Sequence, residues 1–181
     1  MNALADIHEV IIPSQHLWLA VTDHMCREQV SELIANMALH GPLYVLAGSE
    51  WLPAYGVARS LRRKTPQLKS ILNDVRMARA FTCYQFFDLL ANALPDREPM
   101  LILNLLHTFY NPDVPLSVRF RLLRQSCVQL QKLSLYKPIV ILIEESPAVE
   151  YGQFLPLLTS IADETLQFES IRETESQPGL F

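Results

Sequence analysis

Three short, unbroken apolar runs do most to limit what this chain can fold into: residues 43–47 (LYVLA), 100–103 (MLIL) and 139–143 (IVILI). A strand with one face in water alternates apolar and polar side chains, whereas a strand covered on both faces is apolar throughout. Runs of this length are short for buried helices. They end on a turn former or a polar residue: Gly48, Asn104 and Glu144. Residues 75–81 and 164–171 alternate and read as strands with one wetter face. Residues 16–21 fit either a strand or the lead-in to a helix, and residues 9–13 fit a short extended piece.

Helical periodicity fills the gaps. A helix capped by Thr22 or Asp23 is expected to run to about Leu39, stopped by His40-Gly41-Pro42. A second starts at Pro53 and reaches Arg63, a position proline tolerates in a first turn. Further helices are expected over residues 84–94, 116–135 and 152–160, with 68–73 a turn or loop. Strands that alternate with helices imply an α/β fold, a mostly parallel central sheet flanked by helices in three layers. Ligands of such sheets bind beyond the carboxyl ends of the strands. That rim is expected to gather residues 48–55, 104–111 and 144–147.

With 181 residues, half of them apolar and 19% charged, the chain suits one folded domain. The expected division is a segment 1–40 whose helix packs on the core or a partner, a core 41–171 and a loose tail 172–181. A net charge of −4 gives no whole-chain attraction for nucleic acid. The charge is uneven: residues 59–79 hold seven basic side chains and one acid, a net +6 against −10 elsewhere. Arg59, Arg62, Arg63, Lys64, Lys69 and Arg76 in this window are candidates for binding DNA or an acidic partner, with Arg62, Arg63, Lys64 and Lys69 on a loop-like hinge. No aromatic is interleaved among them, so stacking on single-stranded bases is not expected. Three unpaired cysteines in no metal-ligand spacing argue against disulfides and a zinc site. The start carries no signal-peptide pattern and no apolar run reaches spanning length, so a reducing cytoplasmic or nucleoid/nuclear setting without a membrane is expected.

Gly48 closes a strand–turn–helix unit shaped like a phosphate loop. The loop pattern G-x-x-x-x-G-K-[ST] needs a second glycine, a phosphate-reaching lysine and a magnesium-holding hydroxyl. Aligned from Gly48, this chain puts Pro53, Ala54 and Tyr55 at those positions. Glu50, beside Ser49, adds a negative charge where phosphates would lie, and Pro53 removes a donor. Tyr55 is expected to fill the vacated nucleotide space. Other chemistry is thinly supported. His107 reads as a structural histidine, Glu144 and Glu145 as a solvated strand end, and Cys83 as a packed thiol.

Four more segments, in order with this turn, carry a family resemblance. VRMARAFTCY (75–84), MLILNLLHTFY (100–110), PIVILIEES (138–146) and GQFLPLLTSIADETLQFESI (152–171) resemble successive segments of RecA-like recombinases, notably the archaeal and eukaryotic paralogues. The resemblance implies a RecA-like three-layer fold in which Asn104 stands at the Walker B aspartate. It also implies that Glu144 or Glu145 stands near the sensor position. It further implies that the strand bearing the family's catalytic glutamate is deleted, since only residues 64–74 separate the second helix from ARAF. With lysine, hydroxyl, aspartate and glutamate all lost or changed, the groups that phosphoryl transfer relies on are missing. The resemblance therefore implies a pseudo-ATPase with no catalytic residues, metal or cofactor. Such a protein is expected to form a homo- or hetero-oligomer with a RecA-like protein, reaching DNA through that complex in recombination or repair. Two rivals are an ATPase with a non-standard phosphate loop, and a DNA-binding module using residues 59–79.

Overall fold

The computed structural model describes residues 16–48 and 51–168. These residues build one six-stranded sheet in the order β3-β2-β4-β5-β1-β6, and all five strand pairings are parallel. The strands are β1 (Leu17–Thr22), β2 (Leu43–Ala47), β3 (Val75–Arg79), β4 (Met100–Leu103), β5 (Ile139–Glu144) and β6 (Glu164–Phe168). The helices are α1 (Arg27–Ala38), α2 (Ala54–Lys64), α3 (Leu68–Asp74), α4 (Cys83–Ala91), α5 (Leu116–Ser134) and α6 (Tyr151–Thr159), with a 3-10 turn at Leu105–Phe109.

The apolar runs sit where their composition requires. β2, β4 and β5 occupy interior positions with helices on both sides, and β4 is buried along its whole length. Alternate residues of each strand feed opposite cores. Leu17, Leu19 and Val21 join Leu46, Ile102 and Ile141 under α4, α5 and α6, while Trp18 and Ala20 join Val45, Leu103 and Val140 under α1, α2 and α3. The α/β fold is thus three-layered, with a parallel sheet between helical layers. The connections explain the division: those from β1 to β2 and from β2 to β3 run toward one edge, and the rest run toward the other. Right-handed crossovers put the two sets of helices on opposite faces.

Several local expectations change. Residues 17–22 form β1, an interior strand paired to both β5 and β6, so the sheet begins well before residue 41. α1 starts at Arg27, because Thr22 extends β1 and its hydroxyl folds back on the His24 carbonyl at 3.0 Å. Residues 68–74 are a helix, and 105–109 tighten into a 3-10 turn. The expected extended piece 9–13, the tail 172–181 and the end of the last alternating segment lie outside the described residues.

Candidate functional site

Adjacent strands whose outgoing connections diverge leave a crevice at their carboxyl ends. Here the divergence falls between β2 and β4, whose connections leave toward opposite edges. One cleft of about 540 Å³ opens there. Gly48, Trp51, Asn104, His107 and Glu144 line it, as the rim expectation requires, together with His24, Met25, Arg27 and Phe81. His24, Met25 and Arg27 escaped the sequence reading, because assigning them to the rim requires knowing that residues 17–22 are a strand.

Asn104 is the hinge of the cleft. It is 7% exposed and holds a left-handed backbone, φ 48° and ψ 43°. Asparagine tolerates this conformation better than most side chains. Its amide is committed at both ends: Oδ1 accepts the Glu144 backbone N–H at 2.8 Å, and Nδ2 donates to the Met25 sulfur at 3.6 Å. Asn104 N–H donates to the Leu142 carbonyl at 2.8 Å, so residue 104 stitches the end of β4 to β5. Glu144 is engaged as well, its carboxylate 3.2 Å from His24 Nδ1. Among the described residues, no group of three or more His, Cys, Asp or Glu side chains is placed to hold a metal ion.

Gly48 has a packing reason for being glycine. A β-carbon there would stand 2.6 Å from the Leu105 Cα and 2.7 Å from the Asn104 carbonyl oxygen. The strand end of β2 is pressed against the turn after β4. Pro53 is buried at the start of α2, and Ala54 opens that helix. Ser49 and Glu50 lie outside the described residues. Tyr55 does not fill the cleft: it is 79% exposed and lines a different groove, between α1 and α2.

The basic window proves to be divided. Arg62, Arg63 and Lys64 form the last turn of α2 and not a hinge loop, and Lys69 begins α3. Glu32 of α1 pairs with Lys64 and, at 3.7 Å, with Arg63. It also accepts a hydrogen bond from the Ser60 hydroxyl. Burial works against the Glu32 carboxylate, but hydrogen bonds from Lys64 and Ser60 and the charges of Lys64 and Arg63 together hold it below its ordinary range. Arg76, on β3, pairs with Glu98 and Asp96 and lies over the Tyr44 ring. Arg59, Arg62 and Lys69 are exposed and make no ion pair among the described residues. No aromatic falls within residues 59–79, but two stand just before them. Tyr55 stands one turn before Arg59 on α2, and Trp51 lines the same groove.

The thiols offer little chemistry. Cys83 and Cys127 are buried, and burial pushes both up, Cys127 to about 11. No helix among the described residues is long and apolar enough to cross a membrane. No protein-family model matches the chain, and no curated protein sequence matches it.

Proposed function

We propose that this chain is a non-catalytic RecA-like accessory or scaffold protein that works with a protein partner in DNA recombination or repair, in the cytoplasm or at the nucleoid or nucleus. The observation that carries the reading is the state of Asn104. At the end of a central strand, where a magnesium-holding carboxylate would serve a nucleotide enzyme, stands a neutral amide already bonded to Glu144 and Met25. Among the described residues lining the cleft there is no lysine, and Glu144 meets a histidine. Positioned cations and a metal do most of the work in phosphoryl transfer. Among the described lining residues, Arg27 is the one arginine or lysine side chain.

The partner half of the reading draws on the sheet edge. Among the described residues β3 pairs with β2 alone, which leaves an edge able to accept another strand. Beside it Phe81 is 58% exposed, with the Arg79 guanidinium 4.3 Å above its ring. A shallow groove of about 380 Å³ continues from there along α4, lined by Gln85, Asp88, Leu89 and Asn92. An exposed aromatic beside an edge strand suits a docked peptide strand with an apolar anchor.

The test is tagged co-purification from the native cell. A RecA-like protein is expected at near-stoichiometric yield, and Phe81→Ala is expected to reduce its recovery. Recovery of the chain alone, with nucleotide hydrolysis by the purified protein, would overturn the proposal.

A further inference from the structure

We infer that the strand-end crevice is a binding site for a small aromatic carboxylic acid, with the acid group on the Arg27 guanidinium and the ring against Trp51 and Phe81. The inference goes beyond the scaffold reading and does not rest on it. At about 540 Å³ the crevice has room for such a molecule. Small-molecule sites combine aromatic and apolar walls with a few placed polar groups.

Three observations select the ligand. First, the anion must be held by a side chain. Phosphate sites cradle their ligand in successive backbone N–H groups. Here the backbone donors at the strand ends are spent within the fold. Gly48 N–H donates to the Leu103 carbonyl at 2.7 Å, and Ala80 N–H to the Ala47 carbonyl at 2.8 Å. Phe81 N–H donates to the Gln85 side chain at 2.9 Å, and Glu144 N–H to that of Asn104 at 2.8 Å.

Second, the lining carries a cation that no carboxylate answers. Glu144 faces His24 Nδ1 at 3.2 Å, and Arg27 makes no ion pair among the described residues. The planar guanidinium fork matches a carboxylate with two parallel hydrogen bonds. One such cation suits a single negative charge and not the several of a triphosphate.

Third, aromatic surface stands beside that cation. The Arg27 guanidinium lies 5.5 Å over the Trp51 ring, and Phe81 lines the same crevice at 58% exposure. Met25 and Ala80, both buried, add apolar lining. An aliphatic acid would use Arg27 and leave both rings to water.

The experiment titrates the full chain with naphthoate by isothermal calorimetry, with naphthamide, acetate and naphthyl phosphate as comparisons. Saturable binding of naphthoate is expected at about millimolar concentration or below. Naphthamide, the same shape without the charge, is expected to bind about fivefold or more weakly. Arg27→Gln is expected to weaken naphthoate by about the same factor and to leave naphthamide unchanged, a split that loss of folding cannot produce. Methyl spectra of the methionine-labelled chain locate the ligand. The Met25 signal is expected to move on binding, and that of Met37, in the last turn of α1, to stay. The inference is overturned by absence of saturable naphthoate binding, by naphthamide or acetate binding as tightly, by Arg27→Gln binding like the native chain, or by a Met25 signal that does not move. Naphthyl phosphate bound in preference to naphthoate overturns the choice of a carboxylate. Partner recovery is measured without ligand, so the two proposals fail separately.

Discussion

Asn104 and Glu144 join two neighbouring strand ends: the Asn104 side-chain oxygen accepts the Glu144 backbone N–H at 2.8 Å. Replacing Asn104 by alanine orphans that donor and leaves a β-carbon in the left-handed region, where φ is 48°. The orphaned group alone costs about 1–3 kcal/mol. Asn104→Gly loses the same hydrogen bond but relieves the backbone, so it should be about 1 kcal/mol less damaging. Urea unfolding of the two variants measures the difference.

Gly48→Ala should be among the most harmful single-methyl additions. The new carbon meets backbone at 2.6 Å, where no side chain can rotate away. Overpacking of this kind costs about 1–3 kcal/mol or more. At Gly152, inside α6, an added methyl group would meet nothing within 4 Å. Gly152→Ala should therefore stabilise the chain by about 0.5–1 kcal/mol. Denaturant midpoints should shift in opposite directions for the two substitutions.

The foot of the sheet holds a half-buried ion pair, with the Asp96 side chain 37% exposed. Lys137, 1% exposed at its side chain, places Nζ 2.5 Å from Asp96 Oδ1. Asp96→Ala leaves the Lys137 ammonium without its partner. Because Asp96 is partly exposed, water can reach the vacated place, so the cost should be less than the about 3–5 kcal/mol of a fully buried pair. Lys137→Met added to that variant should recover a large part of the loss. A double variant no more stable than Asp96→Ala would place the cost elsewhere, for example in the Arg76 contact to Asp96 at 3.6 Å.

Acid sensitivity should report the α1–α2 contact. Glu32 has a folded pKa below its ordinary 4.5, so it binds a proton less readily folded than unfolded. Its contribution is present above pH 4.5 and is lost as pH falls through the lower folded value. Glu32→Gln should therefore flatten the acid limb of stability against pH below 4.5 and leave the alkaline limb unchanged.

Much of the sheet was legible because burial on both faces leaves a short-range signature. Residues 43–47 and 100–103 match β2 and β4 without adjustment. β1 was not legible. Residues 17–21 are apolar, but Thr22 and Asp23 behind them are good helix caps, and local pattern cannot say that Thr22 pairs with Glu144 across the sheet. Missing β1 hid one wall of the crevice. Strand order was beyond reach for the same reason: β2 separates β3 from β4, a consequence of crossover direction and not of any residue in ARAF. The basic window misled through its partners. Glu32, Asp96 and Glu98 lie outside residues 59–79, so their pairing with Arg63, Lys64 and Arg76 is visible only after folding. Tyr55 fell just outside the same window and one helical turn from Arg59, which periodicity could have shown.

If Asn104 has replaced a metal-holding carboxylate, the strand-end crevice no longer serves a nucleotide. Isothermal calorimetry of the full chain with magnesium and ATP tests this most directly. No saturable heat up to millimolar nucleotide is expected, with ADP behaving alike. A saturable isotherm at micromolar affinity that Asn104→Ala or Arg27→Ala abolishes, in variants that remain folded, would contradict it.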